Sequence, residues 1–226
     1  MFFEPKGMKR ALRNEPALPG RRAWLAHCSG LVLAGTAWAA SPHRILVVGD
    51  SLSAEYGLVR GTGWVALLAA RLVERKLDAS VVNASISGDT TAGGRSRLPA
   101  LLRQHKPTLV ILELGGNDAL RGLPIEQTRA NLLEMTRAAR AAGAKVLVVG
   151  MQVPPNYGRR YSDDFAGVFA SVARSEQSAL VPFLLAGVAD GPQAAEMFQN
   201  DRIHPKQAAH PRMLDNVWAV LETLLR

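Results

Sequence analysis

The chain has a single cysteine, Cys28, among its 226 residues, which excludes an intramolecular disulfide. It has no zinc-finger spacing and no basic cluster interleaved with aromatics, so nothing in it supports nucleic-acid binding. With 48% apolar residues, 20% charged and a mean hydropathy of +0.03, it is neither a polytopic membrane protein nor a disordered chain. The one bias is a formal charge of +8. Half of it, from Lys6, Lys9, Arg10, Arg13, Arg21 and Arg22 against Glu4 and Glu15, falls in the first 39 residues. The other 187 residues carry 21 basic and 17 acidic side chains, an ordinary soluble surface. That length suits one domain with a real core.

The first forty residues have the layout of a secretory signal: Arg21-Arg22, an apolar stretch from Ala23 to Ala34, then Ala37-Trp38-Ala39 before Ala40. The stretch is short, and His27, Ser29 and Gly30 interrupt it, whereas a transmembrane helix needs about 20 apolar residues. Cleavage after Ala39 is expected, with an uncleaved anchor as the rival reading. Met8-Lys9-Arg10 offers a second possible start, and Leu25-Ala26-His27-Cys28 is an imperfect lipoprotein box because His27 stands where a small residue is required. Cleavage would remove Cys28, leaving neither a catalytic thiol nor a cysteine-ligated metal. The mature chain is then expected to be periplasmic or secreted, without a stable membrane span.

Residues 40–226 read as one three-layer αβα domain. Short apolar runs at Ile45–Val48, Ala79–Val82, Leu109–Leu112, Val146–Val149 and, more weakly, Leu180–Phe183 predict five parallel strands. Helical spacing recurs between them, at Trp64, Leu67, Leu68 and Leu72; at Leu98, Leu101 and Leu102; and at Leu132, Leu133 and Met135, ended by Gly143. A last helix is marked by Met213, Leu214, Val217, Val220, Leu221 and Leu224. In such a fold, chemistry gathers where the chain leaves the carboxyl ends of the strands. The segments there are Gly49-Asp50-Ser51-Leu52-Ser53, Asn83 to Thr90, Gly115-Gly116-Asn117-Asp118 and Asp201-Arg202-Ile203-His204-Pro205.

Acyl transfer by a serine needs a nucleophile, a base, a group that orients the base, and donors for the developing oxyanion. Ser51 ends the triplet Gly49-Asp50-Ser51 at a strand end, ahead of an expected helix whose dipole would favour negative charge; the same triplet reads equally as a turn with a cap. Asp201 and His204 are three apart, so the carboxylate can reach Nδ1 while Nε2 points away, although a helix-start cap with a surface histidine fits the same spacing. Asn117 can offer a side-chain N–H and Gly88 a backbone N–H, or either can be a turn residue. His43, His105 and His210 suit a base less well. Ser53, Ser85 and Ser87 are loop hydroxyls, Asp50 and Asp118 turn-holding carboxylates, and Glu113 a hydrogen-bonded structural acid. The joint occurrence of every required part on four strand ends favours acyl transfer. The rival, a doubly wound anion-binding domain, lacks the glycine spacing of a phosphate cradle, and Asp50 would repel phosphate.

Those four blocks resemble the GDSL esterases, or SGNH hydrolases. Val82 to Thr90, Leu98 to Leu102, Glu113 to Asp118 and Pro155 to Tyr161 are similar to its bacterial periplasmic branch of multifunctional acyl-CoA thioesterase, protease and lysophospholipase enzymes, arylesterases included. The resemblance runs from Arg44 to Trp218. It implies a flavodoxin-like five-stranded parallel sheet and a serine hydrolase of fatty acyl esters and thioesters acting through an acyl-enzyme, with a carbohydrate deacetylase or short-chain arylesterase as the alternative. It further implies Ser51 as nucleophile, His204 as base and Asp201 as orienting acid, with Ser51 N–H, Gly88 N–H and the Asn117 amide as oxyanion donors. The loop from Met151 to Tyr161, with Asn156 and Tyr157, is the expected acyl-contacting flap. Glu55 departs from the branch, which carries glycine there. No cofactor and no metal are expected, and the chain is expected to act as a monomer on a small acyl ester or thioester.

Overall fold

A computed structural model describes residues 42–226. The signal segment and Cys28 lie outside the described residues. Five strands, β1 (His43–Gly49), β2 (Ala79–Asn83), β3 (Leu109–Glu113), β4 (Lys145–Val149) and β5 (Ala179–Val181), form one parallel sheet in the order β2-β1-β3-β4-β5. This is the flavodoxin-like order. All five residues of β3 are buried, as are the last five of β1 and the last four of β4. Strands covered on both faces read as continuous apolar runs, which is why they stand out in the sequence. The fifth stops at Val181, short of the expected Phe183. Pro182 follows it, without an N–H for a ladder.

Seven helices are described: α1 (Trp64–Glu74), α2 (Thr91–His105), α3 (Gly116–Leu120), α4 (Ile125–Ala141), α5 (Arg159–Ser175), α6 (Ala194–Met197) and α7 (His210–Leu224). α1 packs on α7, while α2 packs on α4 and α4 on α5, giving the two helical layers around the sheet. α5 lies where the periodicity reading names no helix, yet Phe165, Val168, Phe169 and Val172 bury one face of it at helical spacing. It also takes Tyr161 out of the expected flap, which is therefore 151–158 with a single 3₁₀ turn at Pro155–Tyr157.

The helix expected directly after Ser51 is absent. Residues 51–57 form successive turns, with the N–H groups of Ser53 and Ala54 donating to the Asp50 carbonyl, and α1 begins only at Trp64. No local side chain caps α1. Its first N–H, that of Trp64, donates to Nδ1 of the distant, buried His210 at 3.0 Å, and the Gly63 N–H before it donates to the Glu55 carboxylate at 2.7 Å. Burial holds His210 below the ordinary histidine range, in keeping with a neutral ring that accepts at Nδ1. His210 is thus a structural cap, and a poor base for a structural reason.

Candidate active site

Every strand runs the same way, so the segments that leave them share one edge of the sheet. Turns after β1 carry Ser51, the loop after β2 carries Gly88, α3 after β3 carries Asn117, and the long connection after β5 carries Asp201 and His204. That last loop is pinched at its base by an antiparallel bridge between Phe198 and Pro205. Its six intervening residues then project Asp201 and His204 together. The Asp201 carboxylate accepts the N–H groups of Ile203 (2.9 Å) and His204 (3.0 Å), so the turn itself fixes the acid, independently of the imidazole.

The imidazole bridges the two remaining groups. His204 Nδ1 lies 2.7 Å from Asp201 Oδ2, and Nε2 lies 2.9 Å from Ser51 Oγ. Backbone N–H bonds from His204 and Ile203, reinforced by the imidazole, hold Asp201 down at about 2. An ionised acceptor at that oxygen calls for a proton on Nδ1, and in the neutral ring the lone pair is then on Nε2, toward Ser51. Asp201, His204 and Ser51 therefore form one line along which a proton can leave the hydroxyl.

Two further expectations land at the same edge. Gly88 sits at φ +79, and Arg121 Nη2 donates to its carbonyl at 2.7 Å. The N–H groups of Ser51 and Gly88 donate to no partner among the described residues. Asn117 lies in the first turn of α3 and not in a plain turn, and its Nδ2 donates to Asp50 Oδ2 at 3.0 Å. Above about pH 6 Asp50 is ionised and can only accept, so this bond fixes which way the amide faces. One Nδ2 hydrogen is thereby committed, and the other has no partner among the described residues. Asn156 and Tyr157 are exposed in the loop after β4; neither bonds to Ser51, His204, Gly88 or Asn117 among the described residues, and the Tyr157 ring stacks on Tyr161 with centroids 6.0 Å apart.

Beneath the hydroxyl lies a layer that sequence reasoning saw only as turn and strand-end carboxylates. Parallel register sets Gly49 opposite Glu113. The buried Glu113 Oε2 accepts the Ser53 hydroxyl at 2.6 Å and, more weakly, the Asp50 N–H at 3.4 Å. A Cβ on Gly49 would stand 2.7 Å from Ser53 Oγ and 2.8 Å from Glu113 Oε2, so the glycine is there for close approach. Asp50 also accepts the Leu52 N–H, and burial, only partly offset by its donors, pushes it up to about 6. Burial likewise raises Glu113 well above the usual range, and the Asp50 charge beside it adds to the effect. From α2, Arg97 joins the Asp89 carboxylate at 2.7 Å to the carbonyls of Ala84 and Gly49, tying the loop after β2 to the end of β1. Glu55, four residues after the nucleophile candidate, turns its carboxylate away onto the Gly61 and Gly63 N–H groups. Its backbone has φ +60, a conformation that glycine adopts without strain. Among the described residues no cluster of three His, Cys, Asp or Glu could hold a metal ion.

The chain and its fold are similar to known proteins. Residues 47–212 match the GDSL-like Lipase/Acylhydrolase family. The chain is 55% identical over 205 residues to Esterase TesA of Pseudomonas aeruginosa, covering 91% of this chain and all of that protein. It is 41% identical over 187 residues to Thioesterase 1/protease 1/lysophospholipase L1 of Escherichia coli, covering 83% of this chain and 87% of that one. Its fold is similar to a crystal structure of psychrotrophic esterase EstA from Pseudoalteromonas inhibited by monoethylphosphonate. That match has a TM-score of 0.76 and 38% identity, over 81% of this chain and 98% of that one.

Proposed function

The chain belongs to the GDSL-like lipase/acylhydrolase family, and on that premise we propose that Ser51, His204 and Asp201 are the catalytic residues of its ester and thioester hydrolysis. The observation that carries this assignment is the unbroken line from Asp201 Oδ2 through both ring nitrogens of His204 to Ser51 Oγ. Its substrates are small-molecule acyl esters and thioesters, of the kind named in its esterase and thioesterase relatives.

In the first step Ser51 Oγ bonds to the acyl carbon as its proton passes to His204 Nε2, and the carbonyl π pair moves onto oxygen. That oxyanion is met by the N–H groups of Ser51 and Gly88 and by the free hydrogen of Asn117 Nδ2. When it collapses, the bond to the leaving oxygen or sulfur breaks and Nε2 returns the proton to it. A water then attacks the acyl-enzyme through the same base, releasing the acid and restoring Ser51. Asp201 remains ionised throughout and holds the imidazolium.

We further infer that the acyl group is a fatty chain, that Asn156 and Tyr157 on the flap contact it, that residues 1–39 direct export to the periplasm or beyond, and that the enzyme acts as a monomer. The test is a series of p-nitrophenyl esters and acyl thioesters of increasing chain length. Hydrolysis that rises with chain length and is abolished by Ser51→Ala is expected. Activity confined to acetyl esters would point to a deacetylase or short-chain arylesterase, and activity surviving Ser51→Ala would overturn the nucleophile. Wild-type and Ser51→Ala proteins of equal sedimentation coefficient, each matching one chain, test the monomer.

A further inference from the structure

The ring of Tyr56 lies over the imidazole of His204, with centroids 4.2 Å apart and planes inclined by 36°. Tyr56 is 50% exposed, so burial of its own surface does not explain where the ring sits. The His204 side chain beneath it is only 16% exposed.

Three features of the surrounding loops hold it there. Glu55 gathers the loop behind Tyr56 by accepting the N–H groups of Gly61 (3.0 Å) and Gly63 (2.7 Å). Gln199 Nε2 donates to the Tyr56 carbonyl at 3.0 Å and to the Pro205 carbonyl at 3.2 Å, while the Gln199 N–H donates to the His204 carbonyl at 2.8 Å. Gly57, at φ +71, leaves room for that side chain: a Cβ there would stand 2.2 Å from Gln199 Oε1. One glutamine thus laces the turns that carry the nucleophile to the loop that carries the base, and the Tyr56 ring sits at the junction.

As the Ser51 Oγ–H proton moves to Nε2 and Oγ bonds to the acyl carbon, His204 becomes an imidazolium. Asp201 meets that charge edge-on at Nδ1. An aromatic face meets it from the side, where the negative part of the ring quadrupole attracts a cation. The same ring obstructs rotation of the imidazole away from Ser51. We propose that Tyr56 is a positioning residue for the reaction: its ring keeps the His204 imidazole in line with Ser51 Oγ and stabilises the imidazolium, and Gln199 holds the Tyr56 backbone in place. The proposal rests on the serine-hydrolase reading of Ser51 and His204.

The test compares wild type, Tyr56→Ala and Tyr56→Phe as full chains, with circular dichroism establishing the fold of each. A fluorophosphonate first labels wild-type Ser51; failure to label would overturn both the serine-hydrolase reading and the role of Tyr56. Given labelling, Tyr56→Ala is expected to lower kcat about 3- to 30-fold, with KM nearly unchanged. Tyr56→Phe, which keeps the π face, is expected to recover most of the loss. In proton NMR spectra, the carbon-bound ring protons of His204 are expected to move downfield in Tyr56→Ala, where the shielding ring is gone, and to stay in place in Tyr56→Phe. A folded Tyr56→Ala enzyme that labels and turns over like wild type would overturn the positioning role alone. So would a rise in KM at unchanged kcat, which would make Tyr56 a substrate contact, or His204 resonances that do not respond to loss of the ring.

Discussion

Replacing Asn117 by alanine separates transition-state stabilisation from binding. One Nδ2 hydrogen of Asn117 is committed to Asp50 at 3.0 Å, so the substitution deletes a single oxyanion donor and leaves the N–H groups of Ser51 and Gly88 in place. Loss of one such donor costs about 2.7–4 kcal/mol of transition-state stabilisation, or roughly 10²- to 10³-fold in kcat. The carbonyl of a bound ester carries far less charge than the oxyanion, so KM is expected to change little. Asp50 Oδ2 loses its donor in the same step, a buried loss of about 1–3 kcal/mol in stability. For a domain of this size that lowers Tm by roughly 2–12 °C, leaving the protein folded at 25 °C. Steady-state hydrolysis of a p-nitrophenyl ester, with circular dichroism for the fold and slowed but continued labelling of Ser51, reads both quantities. Asn117→Asp is expected to be at least as harmful, because it sets an acceptor against the oxyanion. A folded Asn117→Ala enzyme with kcat close to wild type would refute the reasoning and leave Asn117 as a helix-start residue.

The Asp50 carboxyl makes a second case. Burial raises it from 3.8 to about 6, so the folded chain keeps a proton that the unfolded chain releases; the stability this supplies is present below about pH 3.8 and lost as pH rises through 6. Somewhat over 2 kcal/mol of that loss, roughly, falls between pH 4 and pH 7.5, and urea unfolding at those two pH values should show Asp50→Asn escaping it; equal losses in the two proteins would count against the buried charge. The same variant sets an amide donor against Asn117 Nδ2, which is expected to turn the Asn117 carbonyl toward the oxyanion and cut kcat as deeply as Asn117→Ala. Glu55→Ala keeps the φ of +60 but loses the bonds to Gly61 and Gly63, and is expected to lower stability by about 1–3 kcal/mol. Glu55→Gly should recover part of that because glycine takes the conformation freely; thermal unfolding decides it, and an alanine variant as stable as wild type would contradict the staple.

Much of this protein could be read from sequence because its central strands are covered on both faces. Ile45–Val48, Leu109–Leu112 and Val146–Val149 must be apolar at every position, and that leaves an unambiguous mark. A parallel sheet then gathers the segments leaving its strands on one edge, so chain order placed Ser51, Gly88, Asn117, Asp201 and His204 together once their motifs had singled them out. Short-range chemistry was legible too: Asp201 and His204 are three residues apart, and their turn needs no other part of the chain to form. Other features depended on groups far apart in sequence. Nothing near Ser51 shows that the segment after it prefers turns to a helix, or that the Asp50 N–H is taken up by Glu113, 63 residues on. The direction of the Asn117 amide depends on Asp50, 67 residues before it, and the start of α1 on His210, 146 residues after Trp64. Glu55 reads as a charge beside the nucleophile until its backbone angle turns the carboxylate onto Gly61 and Gly63. Likewise Tyr56 and His204 meet where Gln199 bridges their two loops. Local patterns record burial and turn preference, which each residue carries with it; a hydrogen bond between distant loops exists only once the sheet register has brought its donor and acceptor within about 3 Å.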